Sequence, residues 1–239
     1  MKKYIVTFYS FLLIISSTKA QVKNLGDYFQ HVDKFLSVNV KAGKVNYERI
    51  SSDKKDLDAL VSFVATKQKF TSPSEEKAFY LNAYNILVIK GVTNNYPTKG
   101  PMEITGFFDK KKYAINGQNL TLNNIENDIV RKKFSDARIH FALVCGAKSC
   151  PPIQTYAFKP EKLDAQLELV TKQSIQNAIF TKTDSKNKKA SVSMLFNWYK
   201  DDFIKAKGSV LGFINSYLKS PLPANTTIDN YTYDWALNG

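Results

Sequence analysis

Two lysines stand before an apolar run, Tyr4 to Ile15, and small or polar residues, Ser16 to Ala20, follow it. This charged, apolar, small-residue order is that of a cleavable secretory signal peptide, with Ala20 at the cut. The run is about a dozen residues, short of the roughly 20 that a bilayer span needs. No cysteine lies at the cut to carry a lipid anchor. The reading assigns residues 1–20 to a signal peptide and residues 21–239 to a single globular domain, periplasmic or secreted. No later segment is long and apolar enough to span a membrane, so no transmembrane segment is expected after cleavage.

Removal of residues 1–20 leaves 219 residues and takes away three lysines, lowering the formal charge from +13 to +10. A chain of that length buries a substantial core. The positive balance suits an anionic envelope surface as partner. The lysines are dispersed, as in Lys110 to Lys112 and Lys186 to Lys189, and form no stripe interleaved with aromatics. A nucleic-acid partner is therefore not expected.

Periodicity and capping chemistry place the elements. Apolar residues at helical spacing predict helices over 24–38 and 53–68, and Lys44 to Tyr47 reads as a short strand. Ser72, Pro73 and Glu75 make a capping-box start for a helix that runs to about Lys90 and stops at Gly91. Tyr113 to Ile115, Asn116-Gly117 and Gln118 to Leu122 read as a hairpin with a type I′ turn. Asn123 with Glu126 opens a capped helix over 124–133, and Arg138 to Val144 reads as a buried strand. A loop from Cys145 to Pro152 follows, then a helix over 160–179, an exposed turn over 181–190, a partly strand-like stretch from Val192 to Phe203, and a helix over 208–219. The fold class is α+β: one mostly helical domain with a β-hairpin and a few short strands.

Chemistry concentrates in His140 to Pro152, which joins one of only two histidines to the only two cysteines, Cys145 and Cys150. Several readings stay open. The cysteines form a disulfide that pins the loop, as an oxidising compartment favours. Alternatively one is a nucleophilic thiol with His140 as base. On an ideal strand His140 and Cys145 face opposite sides, which counts against a direct pair. A third arrangement is metal binding by His140, Cys145 and Cys150 with Glu126, although zinc sites ordinarily duplicate such a cysteine pair. The fourth is two buried thiols without a special role. The preferred reading holds no metal and no cofactor. Asn82 and Asn85 share a helix face, where they bond a loop backbone or orient a catalytic group. Glu126 is a cap acid or a site acid. Arg138 pairs with it or binds an anionic substrate group.

Four blocks of this sequence resemble the domain of unknown function 547 family: Ala78 to Asn85, Leu122 to Arg131, Arg138 to Pro152, and Tyr231 to Asn238. The resemblance implies a family-like core over about 45–239 and marks these blocks as important. It implies no established activity. Family members often carry histidine after the Ile-Glu pair, where this chain has Asn127. The expected function is an exported domain with a binding or structural role. The alternative is a cysteine-dependent hydrolase or acyl transferase acting on peptide or cell-envelope material, with Cys150 or Cys145 as nucleophile, His140 as base and Asn82 or Asn85 as orienter.

Overall fold

The protein is described from a computed structural model covering residues 22–184 and 186–239; the signal-peptide expectation for residues 1–20 lies outside the described residues. Helix α1 (Leu25–Asn39) leads into a two-residue hairpin, β1 (Val40–Lys41) with β2 (Lys44–Val45), then α2 (Tyr47–Ser52) and α3 (Lys55–Ala65). Helix α4 (Pro73–Thr93) is the centre of the fold. Every residue from Ala78 to Ile89 is buried, and α1, α2 and α3 pack around it. A helix buried on all sides belongs in a core, not at a surface. The Ser72 hydroxyl caps it by accepting from the Glu75 amide at 3.1 Å. The helix passes through Gly91 instead of stopping there. A Cβ at that position would lie 2.4 Å from the Tyr113 hydroxyl and 2.7 Å from Phe107, so glycine serves close packing, not termination.

The hairpin of β3 (Lys112–Ile115) and β4 (Gln118–Thr121) turns at Asn116 and Gly117, both at positive φ. A π-helical stretch, Asn124–Arg131, follows and continues in α5 (Lys132–Phe134). Asn123 makes no side-chain cap, contrary to expectation. Thr121 does so: its Oγ accepts from the Asn124 amide, while Asn124 Oδ1 accepts from the Thr121 amide. Ile139 to Val144 is buried, as its apolar content requires, but the expected strand over Arg138 to Val144 does not form. Ala137–Phe141 is a 3-10 turn, opened where Asp136 accepts from the Arg138 amide. Burial alone leaves the backbone conformation open.

After a further 3-10 turn, Pro160–Lys162, helix α6 (Leu163–Ile175) ends short of residue 179. The segment expected as an exposed turn instead pairs β5 (Thr181–Asp184) with β6 (Lys189–Val192). The stretch from Val192 to Phe203 turns helical after β6, in α7 (Leu195–Trp198) and α8 (Lys200–Lys207). Its aromatics fall three and four apart, and Phe196 and Phe203 join Phe141, Phe180 and Phe213 in one aromatic cluster. Helix α9 (Val210–Asn215) and β7 (Thr227–Asn230) complete the fold, with β7 running parallel beside β6. The architecture is α+β: mostly helical, with small sheets. Among the described residues, no helix is long and apolar enough to cross a membrane.

Candidate functional site

A cavity of about 300 Å³ opens where α4, the π-helical stretch, the 3-10 turn, α7 and the C-terminal tail converge. Glu126, 8% exposed, contributes its carboxylate. Its Oε1 accepts from the Tyr199 hydroxyl at 2.5 Å and its Oε2 from the Tyr84 hydroxyl at 3.1 Å. Burial first, then the Glu126 charge, hold both phenols well above their ordinary pKa, so both remain donors. Among the described residues no lysine, arginine or histidine forms an ion pair with Glu126. Phe108, Trp198, Tyr233 and Trp235 add aromatic rings to the wall. The Tyr233 and Trp235 rings lie 4.7 Å apart and those of Trp198 and Tyr233 4.9 Å apart.

The π-helix explains part of this arrangement. Residues five apart sit about 140° apart around an α-helix. Pairing from i to i+5 widens the turn and brings them toward one side. Glu126 and Arg131 thus both reach Tyr199: one at its hydroxyl, the other with its guanidinium 5.0 Å from the ring centre.

His140 also lines the cavity, but its side chain is fully buried. The ring stacks on Tyr199 at 3.8 Å, and Nε2 lies 2.7 Å from Asp202. The His140 hydrogen bond, opposed by burial and assisted by Arg131, holds the Asp202 carboxyl well below the usual range. An ionised Asp202 accepts, so Nε2 carries the proton and donates. Nδ1 is buried with no partner among the described residues.

Cys145 and Cys150 stand at bonding distance as a disulfide and form another part of the wall. The tail holds their loop in place. Lys148 N donates to Ala236 O at 2.7 Å, Ser149 N to Asp234 O at 3.1 Å, and Asn238 N to Gly146 O at 3.0 Å.

The remaining sequence candidates lie elsewhere. Asn82 clamps Phe158, donating to its carbonyl at 2.7 Å and accepting from its amide at 3.0 Å. Asn85 does the same across Ala142 and Val144, each at 2.9 Å. Neither amide lines the cavity. Arg138 does not line it either. Its guanidinium is held by Asp136, Asp164 and Glu168, at 3.0, 2.7 and 3.5 Å. Tyr84, Trp198, Tyr199 and Trp235 escape sequence reading as site residues, because an aromatic stripe carries the same signal as ordinary core; Asp202, the partner of His140, escapes because nothing local sets it apart from other surface carboxylates. No group of three His, Cys, Asp or Glu among the described residues is placed to hold a metal ion.

The Asp136 cluster has a pH consequence. Burial tends to raise this carboxyl, but hydrogen bonds from Arg138 and Lys77 outweigh it and pull it down to about 2. A depressed folded pKa contributes stability above the ordinary carboxyl range and loses it as pH falls through the folded value. Urea midpoints are therefore expected to fall between pH 5 and 2, with Asp136 responsible for roughly 2 kcal/mol. Asp136→Asn should flatten that part of the profile; an unchanged slope rejects the assignment.

The family model described as Protein of unknown function, DUF547, matches residues 68–175. This span holds Tyr84, Glu126, His140 and both cysteines, whereas Trp198, Tyr199, Asp202 and the Tyr231 to Asn238 block lie outside it. No curated protein and no solved structure matches the chain.

Proposed function

Residues 68–175 carry the DUF547 domain, and from that premise we propose that the protein is a receptor for a small organic cation with an apolar body. The observation that carries this reading is Glu126: a buried carboxylate, bonded by two neutral phenols and, among the described residues, by no cation, beneath an aromatic wall. Buried charges are ordinarily paired. Aromatic faces attract ammonium groups, by about 0.5–2 kcal/mol each. An ammonium seated on Glu126 with its hydrocarbon against Trp198, Tyr233 and Trp235 satisfies both. The hydrolase alternative requires a free thiolate, whereas both sulfurs are bonded and both asparagines are committed to loop backbone.

Titration of residues 21–239 with benzyltrimethylammonium, and with benzyl alcohol as the neutral counterpart, tests the proposal. The cation should bind at least about tenfold more tightly, a difference of roughly 1.4 kcal/mol. Glu126→Gln should remove the preference while the protein stays folded. Equal affinity for the two probes rejects the reading.

The receptor is further read as exported. The order of residues 1–20 and the bridged cysteines both suit an oxidising compartment, and the lysine excess suits an anionic envelope. Mass spectrometry of protein recovered outside the cytoplasm should show Gln21 first; an intact Met1 there counts against cleavage.

A further inference from the structure

Structural disulfides are usually sealed into protein, whereas this one faces space. Cys145 and Cys150 are both half-buried and both line the cavity. Cys150 and Pro151 also line a second groove, of about 620 Å³, so a released Cys150 borders two open spaces. The two sulfurs are not equivalent. Cys150 Sγ accepts from the Cys145 amide at 3.1 Å and from the Tyr233 hydroxyl at 3.1 Å. Among the described residues, Cys145 Sγ has only the same hydroxyl, at 3.4 Å. A bridged sulfur carries no hydrogen, so the phenol is the donor in both contacts.

We propose that the Cys145–Cys150 bridge is a thiol–disulfide exchange centre for a thiol-bearing ligand entering the cavity, with Cys145 the sulfur attacked and Cys150 the sulfur that leaves. The ligand thiol first gives its proton to solvent. Its sulfur then bonds to Cys145 Sγ while the Cys145–Cys150 bond breaks, and the bonding pair departs on Cys150 Sγ. The ligand sulfur is oxidised and Cys150 is reduced, so no further oxidant enters. Exchange is faster the better the leaving thiolate is stabilised. Two donors converge on Cys150, one of them an amide fixed by the loop. Tyr233 stays protonated to serve as the other, because burial and then the neighbouring Tyr231 and Glu126 raise its phenol. Glu126 shares the cavity and opposes any thiolate there; the pair of donors is what singles out Cys150. This inference does not depend on the cation reading.

The test uses the oxidised chain, residues 21–239, with 2-mercaptoethanol as probe. After a brief exposure, acid quench and alkylation with N-ethylmaleimide, peptide mass spectrometry locates the two labels. The mercaptoethanol adduct is expected on Cys145 and the maleimide on Cys150, with a preference of about fivefold or more. Single-thiol variants provide a second readout. In Cys145→Ser, the alkylation of Cys150 should have a pH midpoint about one unit or more below the ordinary 8.5. Cys145 in Cys150→Ser should not, and adding Tyr233→Phe to Cys145→Ser should raise the Cys150 midpoint. An even split of adducts, a preference for Cys150, matching midpoints, or two free thiols in unreduced denatured protein each overturns the proposal.

Discussion

Asn85→Ala is expected to lower the stability of this protein by about 2–5 kcal/mol. The side chain is 5% exposed and sits mid-way along the buried face of α4. Its amide gives one hydrogen to Ala142 O and takes one from Val144 N. Alanine removes both partners at once. Each backbone group is buried in a segment that belongs to no sheet, and an unsatisfied buried group costs about 1–3 kcal/mol. Asn85→Asp is the sharper variant. Its carboxylate still accepts from Val144, but it sets a second acceptor against Ala142 O in a buried place, so it should be no more stable than alanine. A fall of about 2–4 °C in Tm per kcal/mol is expected for a chain of this size. The loss should reach the cavity, because Leu143 and Cys145 flank Val144 and both line it. A change below about 0.5 kcal/mol for Asn85→Ala means that water replaces the amide, and the clamp is then not what holds the loop.

That clamp also accounts for where sequence reading succeeds and where it stops. Elements specified by their own chemistry are legible: α4 through the Ser72 cap, and the β3–β4 hairpin through Asn116 and Gly117, two residues that accept positive φ. Elements specified by distant partners are not. The segment from Arg138 to Val144 has the content of a buried strand, yet its outer hydrogen bonds go to a helix side chain, Asn85, in place of a neighbouring strand. Strand β6 is completed by β7, which arrives from beyond three helices. The site divides in the same way. Scarce residue types mark themselves, so His140, Cys145 and Cys150 stand out, Glu126 is marked by its place three residues after Asn123, and all four line one cavity. Tyr84 and Tyr199 hold the Glu126 carboxylate, but nothing local distinguishes them from other tyrosines in an aromatic-rich chain. The i to i+5 backbone that turns both Glu126 and Arg131 toward Tyr199 leaves no mark in composition or spacing.

Gly100→Ala is expected to disturb the cavity from outside its lining, by pressing on the backbone of Trp235. Gly100 has extended backbone, φ 171°, so alanine brings no conformational strain of its own. The obstacle is space. A Cβ there would lie 2.2 Å from the Trp235 carbonyl oxygen and 3.2 Å from its carbon, both backbone atoms. The tail has little freedom to withdraw. Leu237 N donates to Lys99 O at 2.7 Å, beside the new methyl, and Asn238 is tied to Gly146, Val45 and Tyr47. Relief therefore means breaking some of these bonds or moving Gly100, and overpacking of this kind typically costs about 1–3 kcal/mol. The tail carries Tyr233 and Trp235, so its displacement should weaken benzyltrimethylammonium binding by about tenfold, or roughly 1.4 kcal/mol, and shift tryptophan emission. Gly208→Ala is the matching control. Gly208 closes α8 at φ 74° with nothing within 4 Å of a new Cβ, and it lies away from the cavity wall. Alanine in that left-handed position costs about 1–2 kcal/mol. The two variants should thus lose comparable stability, while only Gly100→Ala loses the ligand. Equal retention of binding by both shows that the tail does not shape the site, and equal loss shows that the effect is general softening of the fold.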